Sequence, residues 1–191
     1  MPFRILPVIA LLCILTALHA QSGAPARHQL YGGYSFFSNS INGVPGSRQP
    51  LNGWDASMAF FSWHNLRFKI DVSAYRGTNL GAPQHPLFLM GGGQYSRRIG
   101  KESVFAEAML GEAGMNSNWG ANQQIGYTAS ITTFAGGGLD TPLSRHFKFR
   151  VSGGLQYAYF NLGGPHIINP YRAPGLPSNF GRVTSGLVWQ F

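Results

Sequence analysis

The stretch "LRFKIDVSAYR" at 66–76 decides the fold. Leu66, Phe68, Ile70, Val72 and Ala74 alternate with Arg67, Lys69, Asp71, Ser73 and Tyr75. A strict period of two makes a strand with one apolar and one polar face. Helical spacing would carry Arg67 or Lys69 onto the apolar stripe.

Seven more stretches have the same character: 28–37, 53–63, 86–97, 103–112, 127–139, 147–160 and 181–191. In "GWDASMAFFSW" (53–63), Trp54, Ala56, Met58 and Phe60 oppose Asp55, Ser57, Ala59 and Phe61. In "FKFRVSGGLQYAYF" (147–160), Phe147, Phe149, Val151, Leu155, Tyr157 and Tyr159 oppose Lys148, Arg150, Ser152 and Gln156. Strands of this length exceed the roughly five or six residues usual in globular sheets. They approach the roughly 9–11 residues that cross a bilayer at a tilt. The intervening segments run long, short, medium, short, long, short, long. Such alternation predicts an all-β, eight-stranded, antiparallel up-and-down transmembrane β-barrel whose two ends face different compartments.

Composition agrees. Charged residues make up 10% of the chain, against about a quarter in ordinary soluble domains. Aromatic and glycine content favours strand over helix. Residues 1–20 lie outside the expected barrel. Arg4 precedes the apolar run "ILPVIALLCILTAL" (5–18), and Ala20 is a small residue at a plausible cut. The segment reads as a secretory signal peptide, followed by a short stretch at 21–27 and a barrel domain at 28–191. Cys13, the sole cysteine, lies within the leader, so disulfides and thiol chemistry are not expected in the mature chain. The net charge of +8 is not clustered. Nucleic acid is not an expected partner for an exported chain of this kind.

Periodicity does not say which face points inward. A lipocalin-like soluble barrel would put the apolar rows inside; a membrane barrel would put them outside. Tyr31, Trp54, Trp63, Tyr75, Tyr95, Tyr157, Tyr159 and Trp189 near strand ends suggest interfacial girdles, which favours the membrane. The polar rows then fall in the lumen: Asp55, Arg67, Lys69, Asp71, Glu107, Lys148, Arg150 and Arg182. Glu112, near a strand end, is expected outside this set. Unpaired charges in a narrow lumen are costly, so the expected arrangement is a salt-bridged plug. Its rival is a water-filled anion path.

The ending "SGLVWQF" presents Val183, Leu187, Trp189 and Phe191 on one side, with Ser185 the small exception. This resembles the C-terminal assembly signal of outer-membrane barrels, which implies the barrel-assembly machinery as a partner. With "YGGYSFF" (31–37), "LNGWDAS" (51–57), "FAGGGLDTPLSRHFKFR" (134–150) and "NFGRVTSGLVWQF" (179–191), the chain resembles the OmpA-like eight-stranded outer-membrane β-barrel family. More narrowly, it resembles the small acidobacterial-type members. The resemblance implies a bacterial outer-membrane protein without a soluble appendage, in contact with outer-membrane lipid and lipopolysaccharide.

No catalytic, cofactor or metal site is expected. None of the six histidines begins the His-x-Ser pair of a lipid-deacylating barrel. His64 and His146 fall in short turns, His85 and His166 in loops. The "GGG" runs at 91–93 and 136–138 lack the Lys-Ser/Thr of a phosphate loop and read as curvature devices. Arg48, Arg76 and Arg172 fall in the long loops, where lipopolysaccharide phosphates or an extracellular partner would meet them. Arg97, Arg98, Lys101 and Arg145 mark the periplasmic turns.

Overall fold

The computed structural model describes residues 28–39, 49–63, 65–79, 82–117, 126–160 and 176–191. The expected signal peptide, Cys13, Arg48, Arg172, His64 and His166 lie outside the described residues. Eight strands follow in chain order: β1 (Gln29–Asn39), β2 (Gln49–Trp63), β3 (Leu66–Asn79), β4 (Ala82–Ile99), β5 (Glu102–Ser117), β6 (Gly126–Pro142), β7 (Phe147–Phe160) and β8 (Leu176–Gln190). Each pairs antiparallel with the next, and β8 closes on β1. Closure leaves no free sheet edge among these strands. Among the described residues no helix is long and apolar enough to cross a membrane.

The alternation read from the sequence becomes alternation in space. Along β3, Lys69, Asp71, Ser73 and Tyr75 are buried in the lumen, while Phe68 and Ile70 are exposed on the outer wall. The outer wall carries Leu30, Leu89, Leu110, Ile131, Val151, Leu155, Val183 and Leu187, all well exposed. Above and below this aliphatic belt stand rings: Tyr34, Trp54 and Tyr157 toward one end, Phe68, Tyr95, Phe147 and Trp189 toward the other. Two expected girdle residues are turned the other way. Tyr31 and Tyr75 are buried in the lumen, because each shares the parity of its strand's polar row. The side chains of Trp63 and Tyr159 lie outside those described.

The two ends differ. At the turn end, Gly100 and Lys101 join β4 to β5, with Gly100 at φ +63°. Glycine adopts that left-handed backbone without a Cβ clash. Leu143–His146 join β6 to β7, where the Phe147 amide donates to Ser144 Oγ at 3.1 Å. His85, expected in a loop, lies on β4 and is exposed. That strand begins earlier than its prolines suggest, because Pro83 and Pro86 fall where the chain still pairs with β3 and β5.

Candidate functional site

The lumen contains the chemistry of this chain, and it is stacked in three tiers. The tier nearest the long-loop end is apolar. Phe37 on β1 lies 4.6 Å from the ring of Phe180, 4.7 Å from Tyr75 and 5.3 Å from Phe88. Leu51, Met90, Met109, Ala113, Phe134 and Ala158 complete the cluster. The Tyr75 hydroxyl keeps a partner there, Ser35 Oγ at 2.8 Å.

The middle tier is a chain of alternating charge built from four strands. Glu107 of β5 meets Lys69 of β3 at 2.9 Å, and Lys69 lies 3.5 Å from Asp71. Arg182 of β8 donates to both oxygens of Asp71, at 3.0–3.2 Å, and reaches Asp55 of β2 at 2.5 Å. Gln94 supports Glu107 at 3.4 Å, and Arg182 also lies over the Phe134 ring at 5.3 Å. All five charges are buried. Charges so far from water persist when paired and hydrogen-bonded, as these are. Beside them Gln156 donates to Thr132 at 3.1 Å, and the hydroxyls of Ser152 and Thr184 are 2.6 Å apart.

The third tier, toward the turns, centres on Arg150. Its Nε and Nη2 grip the two oxygens of Asp140 at 2.6 and 2.8 Å, a bidentate fork, and Nη2 reaches Gln29 at 3.4 Å. Its guanidinium lies 4.4 Å from the centre of the Phe105 ring and 5.6 Å from that of Tyr31.

Of the eight lumen charges read from the sequence, Asp55, Lys69, Asp71, Glu107, Arg150 and Arg182 are buried in these tiers. Arg67 and Lys148 are only half-buried, at the turn-end mouth, and neither is within ion-pair distance of a described carboxylate. Asp140 is the residue that sequence reading missed. Ending that strand at Leu139 left Asp140 in a turn, whereas β6 runs on to Pro142. Its signal was present: Ser130, Thr132 and Phe134 set the inward parity, and Asp140 keeps it. With Asp140 included, the buried lumen holds four anions and three cations among the described residues. Glu112 is outside the network, as expected, but it lies well within β5, exposed on the outer wall opposite Leu89 and Ile131.

The last strand seals the barrel. The His28 and Phe191 backbones exchange two hydrogen bonds at 3.2 Å, and the Phe191 ring stands 4.7 Å from Trp189 and 5.7 Å from His28. Val183, Leu187 and Trp189 are exposed on the outer wall of β8. No group of three or more His, Cys, Asp or Glu able to hold a metal occurs among the described residues.

No protein family and no curated protein matches the sequence. Solved structures do match the fold. Neisserial surface protein A superposes with a TM-score of 0.64 at 13% identity, over 88% of this chain and 99% of that one. Ail, the attachment invasion locus protein of Yersinia pestis, solved with the heparin analogue sucrose octasulfate, gives 0.56 at 11% identity, over 86% and 97%. The N-terminal β-barrel domain of Pseudomonas aeruginosa OprF gives 0.54 at 12% identity, over 88% and 100%. At such identities the likeness is one of fold.

Proposed function

We propose that this chain is an integral bacterial outer-membrane protein, exported on a cleaved leader at 1–20. Its lumen is closed, and its role is structural or exercised through its long loops. The observation that carries this reading is the polarity of the wall: buried charges inside, an aliphatic belt between aromatic rings outside. In water that arrangement would leave the whole apolar belt solvated; in a bilayer it satisfies both solvents. The fold shared with known outer-membrane barrels supports the same reading, and the quoted motifs support the OmpA-like, acidobacterial-type assignment. The terminal strand, with Val183, Leu187, Trp189 and Phe191, offers the assembly machinery an apolar side and a row of backbone groups to pair with.

The aromatic tier and the two charge tiers support closure, since an eight-stranded barrel has room for little beyond side chains. The chain is not an enzyme in this reading and carries no cofactor. Its partners are outer-membrane lipid and lipopolysaccharide, with a further partner met by the loops. Sulfated or phosphorylated polyanions are the first class to try there. Arg76, expected in a loop, lies on β3 toward that end, Arg48 and Arg172 are expected from the sequence in the long loops, and the Ail structure contains a sulfated ligand.

Planar-bilayer recording tests closure. The reading predicts no discrete conductance steps, for the native chain and for Lys69→Glu or Arg150→Glu alike. Steps whose ion selectivity changes with those charge reversals would replace it with a small porin-like channel.

A further inference from the structure

The turn end of the lumen has a surplus of positive charge that nothing in the network uses. Arg67 of β3, Arg98 of β4 and Lys148 of β7 share the inward parity of Lys69, Gln94 and Arg150, one or two steps nearer the mouth. The carboxylate beside them, Asp140, is already gripped on both oxygens by Arg150. Arg98 spends its Nε on the Gly100 carbonyl at 3.1 Å, which holds the side chain at the rim and leaves its terminal nitrogens without a partner among the described residues. The three cations converge from separate strands. Lys148 feels the charges of Asp140, Arg67, Arg150 and Arg98, and Arg67 feels those of Arg150 and Asp140.

Like charges gathered in a half-enclosed mouth repel more strongly than on an open surface, because less water screens them. Strands fixed by closure cannot splay apart to relieve this repulsion. An anion seated among the cations would relieve it, and a tetrahedral oxyanion offers several acceptors to donors arriving from several sides.

We propose that Arg67, Arg98 and Lys148 form a phosphate-type oxyanion site at the turn-end mouth of the barrel. The ligand is either a free phosphate or the phosphodiester of a phospholipid headgroup from the adjoining leaflet. Both present the same anionic oxygens. The site rests on the barrel itself; only its lipid source rests on the membrane reading.

The test uses the full barrel refolded in a maltoside detergent, which carries no phosphate. Amide shifts of Arg67, Arg98 and Lys148 are followed during titration with sodium phosphate, with sodium chloride at matched ionic strength as the control. Short-chain phosphatidylglycerol is titrated separately, with phosphatidylcholine beside it. Saturable shifts with phosphate beyond those with chloride assign a free oxyanion. Saturation by phosphatidylglycerol that phosphate does not compete away assigns the headgroup. Either result supports the site if Lys148→Gln weakens binding by about tenfold or more and Lys148→Arg retains it. Arg98→Gln, at the exposed rim where folding is not at stake, weakens it as well. Arg76→Gln, toward the opposite end, leaves it unchanged. Shifts no larger than chloride produces, with neither ligand saturating, overturn the proposal. So does binding that Lys148→Gln and Arg98→Gln leave intact.

Discussion

Arg182 is the side chain on which the lumen turns. It binds Asp71 with two nitrogens and Asp55 with one, joining β8 to β2 and β3 across the interior. Removing it leaves Asp55 buried without an ion-pair partner and Asp71 with Lys69 alone. Arg182→Gln is therefore expected to cost about 3–5 kcal/mol, read as a lower urea midpoint for unfolding from lipid vesicles. Replacing Arg182, Asp71 and Asp55 together by apolar residues of similar volume should cost much less, because no charge is then left alone. Glu112 predicts the opposite sign. It is an exposed carboxylate between Leu89 and Ile131 on the outer wall. Glu112→Leu should stabilise the barrel in lipid by up to about 1 kcal/mol in the same measurement, since acidic groups on a lipid face carry a modest, depth-dependent penalty. Sequence reading reached the identity of most lumen charges because parity alone decides it. It failed at Asp140, where the turn was taken to begin three residues too early. It also could not tell that Arg67 and Lys148 stop at the mouth, since depth along a barrel depends on register with neighbouring strands.

The strands are shaped by where glycine lets them approach. At Gly111 of β5, an added Cβ would strike the backbone carbonyl of Leu89 on β4, and at Gly92 of β4 that of Ala108 on β5. These two glycines let β4 and β5 coil tightly at the wall. At Gly32 of β1 nothing lies within 4 Å of such a Cβ. Gly111→Ala should therefore destabilise by about 1–3 kcal/mol, the cost of forcing a close-packed contact apart. Gly32→Ala should stay within about 0.5 kcal/mol of the native protein. Comparison of their unfolding midpoints checks the pair. The eight strands were legible as separate segments, with the alternation clearest at 53–63, 66–76 and 147–160. Strand ends were not. β2, β4 and β8 begin before the residues where alternation becomes visible, because Pro50, Pro83 and Pro177 read as punctuation yet lie within paired strands.

At the scale of the whole molecule, the deciding property is which solvent each face meets. Alternation in 66–76 proves a two-faced strand but is symmetric between a soluble barrel and its inverse. Closure breaks the symmetry. The buried row carries the ionic chain from Glu107 to Asp55, and the exposed row carries Leu89, Leu110, Ile131 and Leu155. The most direct test is where the folded protein resides. Expressed as the full chain in a bacterium that has an outer membrane, the protein should fractionate with that membrane. It should also run on a gel as a compact band that shifts on boiling. Recovery as a soluble periplasmic or secreted product, with no boiling shift, would contradict the account.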